Sequence, residues 1–155
     1  MTEILTIAII DNGRGGHKDL LFSMPDLIGD KEFDTYYFGT AVGPTETIDP
    51  IKNAVSQLIQ FWLDKVSKIK IGETIFLPID FSDQYTGCLK VQKQGTQFVL
   101  TYGFSGKEGY AVDPLNPENY YQQINDFEAD PEKQLIVEPT AFISTLHRQI
   151  KKLKE

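Results

Sequence analysis

The stretch that decides the fold is residues 73–104, ETIFLPIDFSDQYTGCLKVQKQGTQFVLTYGF. It predicts three successive strands, over Thr74–Ile79, Tyr85–Lys93 and Gln97–Phe104. In the third strand every second residue, from the phenylalanine after Gln97 onward, is large and apolar. That period of two is typical of a strand that buries one face of a sheet. Gly95 lies between the last two strands, where it supplies the positive φ that a tight hairpin needs.

Two amphipathic helices are predicted beside these strands. The first is expected over Pro50–Lys70, because Asp49 is a good N-cap and proline suits the first helical position. Apolar residues recur through this segment at helical spacing and form one wide stripe. The second helix is expected over Pro139–Lys154, again opened by proline and apolar on one face. Both stripes are expected to pack against the sheet.

Four further segments have a weaker pattern. Ile4–Ile10 is rich in β-branched residues and is predicted to be a strand buried on both faces or in mid-sheet. Thr35–Thr40 is aromatic and is predicted to be a strand, and Gln134–Val137 a short edge strand. Met24–Asp34 carries proline, glycine and several charges, which favour a surface loop.

The expected fold is therefore α+β, with residues 1–155 as a single domain. A mainly antiparallel β-sheet of about five or six strands would carry two amphipathic helices packed on one face. A chain of 155 residues is long enough to bury a core without disulfides or metals. Runs of adjacent strands, with helices between and after them, favour this arrangement over a parallel βαβ array.

The charge and the apolar pattern exclude several kinds of partner. The formal net charge is −7 and the pI is near 4.8, whereas nucleic acids and anionic membranes require a basic surface. No apolar stretch reaches the length of a membrane span, and the N-terminus lacks the basic start of a signal peptide. The single cysteine, Cys88, cannot form an internal disulfide. A cytoplasmic location is therefore expected.

An acidic segment, residues 108–132, contains seven acidic residues and neither lysine nor arginine. It lies within residues 105–133, where glycines and prolines interrupt any periodicity except for a predicted helical turn near Glu118–Ile124. Carboxylates steer the encounter with a basic protein, and tyrosines supply buried anchors. The predicted partner-binding residues are Tyr110, Asp113, Glu118, Tyr120, Tyr121, Asp126, Glu128, Asp130 and Glu132.

These features favour a non-catalytic protein-binding module, such as an inhibitor or immunity protein that docks onto a basic partner, for example a nuclease toxin. The chain is similar to bacterial immunity proteins in general character only, since no motif links it to a family. Two alternatives stay open: a solvated loop that keeps the protein soluble, and an edge strand or exposed tyrosines that form a homodimer. Asp126, Glu128 and Asp130 alternate as calcium ligands do, but the EF-hand glycine and bidentate glutamate are missing. No metal or cofactor is predicted.

The competing hypothesis is a small hydrolase or ligand-binding enzyme that uses the glycine-rich loop Asp11–Asp19. His17 in this loop, paired with Asp11 or Asp19, could do general acid–base work, although the glycine spacing fits no phosphate-binding motif. Cys88 is predicted to be an inert buried thiol, and His147 a surface residue. Asp80 and Asp83 follow a predicted strand, but no catalytic motif includes them. No catalytic residue is assigned, and binding is favoured over catalysis.

Overall fold

The computed structural model describes residues 3–106, 108, 113–117 and 124–155. Within these ranges the chain forms two antiparallel sheets and three helices, which confirms the α+β class. The elements in chain order are β1 (Thr6–Ile9), β2 (Leu20–Met24), β3 (Gly29–Phe33), α1 (Tyr36–Val42), α2 (Asp49–Lys68), β4 (Thr74–Phe81), β5 (Thr86–Gln94), β6 (Gln97–Ser105), β7 (Glu128–Ala129), β8 (Leu135–Val137) and α3 (Pro139–Leu153).

The strands form two sheets rather than the one that the sequence predicts. A small sheet has the order β1-β2-β3, and a large sheet has the order β4-β5-β6, with β7 and β8 both paired to β6. The three strands predicted from residues 73–104 are confirmed as the body of the large sheet. Gly95, at φ +60°, turns the chain between β5 and β6, and Gln94 pairs with Gln97 across the hairpin.

The hydrophobic core lies between the two sheets and the two long helices. Phe98 of β6 meets Phe142 of α3 edge to face, with ring centroids 6.0 Å apart. Trp62 of α2 is fully buried, and its indole N–H donates to the carbonyl oxygen of Pro78 at 3.0 Å. The edge of the Trp62 ring also meets Phe22 of the small sheet at 6.4 Å. The helical stripes predicted from sequence therefore pack as core.

Residues 24–34 contain the turn and the second strand of the β2–β3 hairpin, so the predicted surface loop is wrong. The turn that follows Met24 leads into Gly29, whose φ of +71° starts β3. Ser23 donates a side-chain hydrogen bond to Asp30 across the two strands at 2.6 Å. The exposed middle of β3 is charged because it is the edge strand of the small sheet, and charges on an edge discourage pairing with other chains.

The aromatic segment Thr35–Thr40 is helical, so the predicted strand is also wrong. α1 begins at Tyr36, and its residue Phe38 is fully buried with its ring edge against Phe81 at 5.5 Å. Aromatic side chains favour strands only weakly, and burial overrides that preference. The buried carboxylate of Asp19 fixes the start of the helix by accepting hydrogen bonds from the backbone N–H and the hydroxyl of Thr35.

The first strand is an edge strand, which corrects the prediction of a strand buried on both faces. β1 pairs only with β2; Ile7 and Ile9 are buried, whereas Ala8 between them is exposed. Its open side is covered by α3, because Gln149 is fully buried and accepts a hydrogen bond from the Ile7 backbone N–H at 3.0 Å.

The remaining boundaries agree closely with prediction. α2 includes Asp49 as its first residue instead of as its N-cap, and it ends at Lys68. α3 begins at Pro139, and β8 is the short strand predicted within Gln134–Val137. None of the helices in the described residues is long and apolar enough to cross a membrane.

Candidate functional site

The described part of the acidic segment is attached along β6. Glu128 and Ala129 form β7 and pair with Phe104 and Gly103. The Asp130 backbone N–H then donates to the carbonyl oxygen of Tyr102 at 2.9 Å. Just before β7, a carboxylate oxygen of Asp126 accepts a hydrogen bond from the Gly106 backbone N–H at 2.8 Å. These bonds give the C-terminal half of the segment a defined place on the large sheet.

An aromatic ring anchors this segment while its carboxylates stay in solvent. Phe127 packs on Phe76 with ring centroids 5.5 Å apart, and the Lys90 ammonium lies 5.5 Å from the Phe127 centroid. The acidic residues predicted to bind a partner are exposed wherever they are described, namely Asp113, Asp126, Glu128, Asp130 and Glu132. The other predicted residues, Tyr110, Glu118, Tyr120 and Tyr121, lie outside the described residues, as does most of the predicted helical turn at Glu118–Ile124. Partner binding by the acidic segment remains a prediction.

The acidic segment borders a cleft between the two sheets, which we call the inter-sheet cleft. It encloses about 540 Å³. Asp130 lines it from the acidic segment, and Glu32 and Asp34 line it from β3 and the residue after that strand. Asp80, near the end of β4, and Tyr85, just before β5, line the opposite wall. The fold thus brings together carboxylates that are far apart in sequence.

Asp80 is the buried member of this group, with only 8% of its surface exposed. Burial raises the pKa of its carboxyl group from 3.8 to about 6, against the hydrogen bond from Tyr85, which lowers it, and with a smaller contribution from the negative charge of Asp34. Burial also raises the pKa of the Tyr85 hydroxyl, with Asp80 contributing. The cleft therefore contains a carboxylate that is poorly solvated when it is charged.

Sequence reasoning missed most of this cleft. Glu32 and Asp34 fell in a segment interpreted as a surface loop, and Tyr85 was assigned only to a strand. Asp80 lies after a predicted strand, and nothing in the sequence links it to the acidic segment. The sequence does offer one signal for Asp80. It directly follows five apolar residues, 75–79, in which proline is the only turn-forming residue.

The glycine-rich loop lines a second cleft, which we call the loop cleft, of about 570 Å³. The Asn12 side chain closes the loop: its amide N–H groups donate to the carbonyl oxygens of His17 and Lys18 at 2.9 and 3.2 Å, and its oxygen accepts from the Arg14 backbone N–H at 3.0 Å. The far wall is formed by α1 and the loop that precedes α2. The glycine-rich loop thus borders a sizeable recess.

His17 pairs with a carboxylate other than those the sequence suggested. Its Nδ1 lies 3.0 Å from Oδ2 of Asp34, and Oδ1 of Asp34 accepts a hydrogen bond from the Lys18 backbone N–H at 2.8 Å. The imidazole also stacks on Tyr36, with centroids 5.4 Å apart. Asp19 instead accepts hydrogen bonds from the backbone N–H and the hydroxyl of Thr35, so the suggested pairing of His17 with Asp19 is wrong.

The remaining residues that the sequence analysis considered for catalysis are Cys88, His147 and Asp83. Cys88 is buried in β5, as predicted, and His147 is exposed on α3. Asp83 accepts a hydrogen bond from the hydroxyl of Tyr37. Among the residues that the structure describes, no group of three or more His, Cys, Asp or Glu side chains is placed to hold a metal ion.

Comparison with known proteins gives no relative to this chain. No family model, no curated protein and no solved structure matches it.

Proposed function

We propose that this protein is a non-catalytic binding module, an inhibitor or immunity-type protein that docks an acidic, tyrosine-bearing surface onto a basic protein partner. The observation that carries the proposal is the arrangement around β6. Asp126, Glu128 and Asp130 are exposed at alternate positions in and beside β7, and the last of them borders a cleft that holds Asp34 and Asp80. Carboxylates on a fixed backbone keep their charges in register for a partner and lose little entropy on binding.

Exposed aromatic side chains near the cleft support the same proposal. Tyr85 lines the inter-sheet cleft with 37% of its surface exposed, and Tyr36 is 47% exposed beside His17. Tyrosine is enriched among the residues that carry the binding energy of interfaces, because it supplies area and a polar tip at low entropy cost. A surface that combines carboxylates with tyrosines suits a basic protein better than a small anion.

The test is partner capture with two charge-matched variants. The acidic variant carries Asp126→Asn, Glu128→Gln and Asp130→Asn, whereas the control variant carries Glu46→Gln, Asp64→Asn and Glu138→Gln, all exposed elsewhere on the chain. Each variant loses three negative charges, so net charge is held equal. Lysate from the native cells is passed over each immobilised protein at low and at high salt, and retained proteins are identified by mass.

We expect a basic protein to be retained by the wild type and by the control variant at low salt. The acidic variant should associate with that protein at least tenfold more slowly and with a flatter salt dependence, because steering by exposed charges dominates the association rate. Equal retention by all three proteins, or no specific retention by the wild type, would contradict the proposal.

A second candidate function is favoured by the loop cleft and the His17–Asp34 pair. The histidine Nδ1 faces the carboxylate, which orients the ring and leaves Nε2 to accept a proton. Ser82 lines the recess that also contains His17 and Asp34. A small hydrolase would use His17 as the general base in this recess, which shares Tyr36 with the wall of the loop cleft.

The hydrolase proposal is tested by turnover of 4-nitrophenyl acetate and 4-nitrophenyl phosphate. His17→Ala should abolish turnover while leaving the unfolding midpoint nearly unchanged, because the imidazole is largely exposed. His147→Ala, the other histidine, is the matched control and should keep full turnover. Absence of turnover by the wild type with both substrates, or equal turnover by His17→Ala, would overturn this second candidate.

A further inference from the structure

The inter-sheet cleft has aromatic walls in addition to its carboxylates. Phe33 of the small sheet stacks on Tyr102 of the large sheet, with centroids 6.3 Å apart and an interplanar angle of 7°. Phe104 meets Tyr102 edge to face at 5.8 Å and meets Tyr85 edge to face at 5.0 Å. All four rings line the cleft. Because they pack on one another, their positions are fixed before any ligand binds.

One glycine allows the floor of this cleft to form. Gly87 pairs with Asp80 across β4 and β5. A Cβ at Gly87 would lie 2.8 Å from the Asp80 Cβ and 2.5 Å from the Tyr102 hydroxyl oxygen. The missing side chain therefore lets a carboxylate and a phenol approach each other at the base of the cleft.

The carboxylate at this base has no cationic partner in the described part of the chain. Asp80 accepts a hydrogen bond from Tyr85, but none of the lysine, arginine and histidine side chains that the structure describes forms an ion pair with it. A buried charge is normally paired, because desolvation without a partner is costly. The charged groups that line the cleft around it are Lys18, Lys31, Glu32, Asp34 and Asp130, so carboxylates outnumber ammonium groups.

We propose that the inter-sheet cleft receives an arginine side chain of the protein partner, with the guanidinium group paired to Asp80 and placed against the Tyr85, Tyr102 and Phe104 rings that line the cleft. This inference rests on the proposed function, since it specifies what the basic partner inserts. A guanidinium fits the combination of donors and walls: it pairs with carboxylates, it stacks on aromatic faces, and it sheds water more readily than an ammonium. Cation–π attraction adds to the ion pair when both are desolvated.

The test replaces the unidentified partner by a small molecule that mimics one arginine residue. The probe is N-acetyl-arginine methylamide, and the matched control ligand is N-acetyl-citrulline methylamide, which has nearly the same shape without the charge. Binding is followed by titration with backbone amide NMR of the full chain. We expect saturable shifts centred on residues 80–87 and 102–104 with the arginine probe, and at least tenfold weaker binding of the citrulline compound.

Two variants separate charge from shape. Asp80→Asn should weaken binding of the arginine probe at least tenfold, whereas Asp64→Asn on the exposed face of α2 should leave it unchanged. Gly87→Ala keeps every charge but crowds Asp80 and Tyr102 at the base of the cleft, so it should also weaken binding. Equal binding of the arginine and citrulline compounds, unaltered binding by Asp80→Asn, or no saturable binding would overturn the inference.

The outcomes distinguish this inference from the proposed function. If the arginine probe does not bind but a captured partner still depends on Asp126, Glu128 and Asp130, only the assignment of the cleft fails. If the probe binds in the cleft but no basic protein depends on the acidic variant's three positions, the cleft is a cation site and the proposed protein-binding function fails.

Discussion

The backbone carbonyl of Glu128 occupies the space into which a side chain at Gly103 would project. A Cβ at Gly103 would collide with that carbonyl and would lie 2.8 Å from the Phe127 ring. We therefore expect Gly103→Ala to detach β7 from β6 and to lower the free energy of unfolding by about 1–3 kcal/mol, the usual cost of overpacking. Hydrogen exchange of residues 126–130 should become faster than in the wild type.

Gly39→Ala is the matched control for this substitution. Gly39 lies in α1, and a Cβ there would meet only the end of the Ile51 side chain at 3.7 Å, an ordinary contact. Alanine is also the better helix former by roughly 1 kcal/mol, so this variant should be neutral or slightly stabilised. Unchanged exchange rates at residues 126–130 in Gly103→Ala would show that the close approach is not required.

Two glycines of the glycine-rich loop allow the cost of close packing to be measured apart from the cost of backbone conformation. Gly13 and Gly16 both have positive φ, +71° and +91°, but only Gly16 is crowded, since a Cβ there would lie 3.0 Å from the Tyr36 Cα. Positive φ costs a non-glycine residue roughly 1–3 kcal/mol. We expect Gly16→Ala to be the more destabilising by at least about 1 kcal/mol in urea unfolding. Equal midpoints would contradict the close contact with α1.

The buried carboxylate of Asp19 should contribute more to stability than its exposed counterpart Asp30. Asp19→Ala leaves the backbone N–H and the hydroxyl of Thr35 without an acceptor in a buried setting. We expect a loss of about 2–4 kcal/mol. Asp30→Ala removes an exposed hydrogen bond from Ser23 and should cost less than about 1 kcal/mol. The measurement is the urea midpoint, and equal losses in the two variants would argue against this account.

The predictions from sequence succeeded where the pattern is set by one strong local signal. The strands within residues 73–104 alternate apolar side chains and are joined by Gly95, and α3 begins at its proline. These signals act over a few residues and agree with the final packing. The prediction of Thr35–Thr40 as a strand failed because the deciding interaction is the hydrogen bonding of Thr35 to Asp19, 16 residues earlier in the chain.

The candidate site was predicted only in part for the same reason. The exposure of Asp126, Glu128 and Asp130 follows from a local run of charges. The cleft beside them requires Asp34 and Asp80 to meet across two sheets, and no spacing in the sequence encodes that meeting. A division into two sheets is likewise a property of long-range pairing, which periodicity within one strand does not determine.

Stability should fall as pH rises through the titration of Asp80. The folded state raises the pKa of this carboxyl group from 3.8 to about 6, so the folded protein binds more protons than the unfolded chain between those values. The contribution of Asp80 is therefore most favourable below pH 4 and is lost as pH rises through about 6, a change on the order of 3 kcal/mol. The hydrogen bond from Tyr85 lowers the pKa of this carboxyl group, and the charge of Asp34 raises it. The other charged residues that line the cleft are Lys18, Lys31, Glu32 and Asp130.

Asp80→Asn isolates this contribution because asparagine keeps an acceptor for Tyr85 but cannot ionise. We expect the variant to be more stable than the wild type at pH 8 by up to that amount and close to it at pH 4, in urea unfolding followed across the pH range. Asp64→Asn is the exposed control and should run parallel to the wild type. If Asp80→Asn also ran parallel to the wild type, Asp80 would be charged at little cost in the folded state. A cation in the inter-sheet cleft should have the same effect on the wild type as the substitution, since pairing the carboxylate removes the cost of its charge.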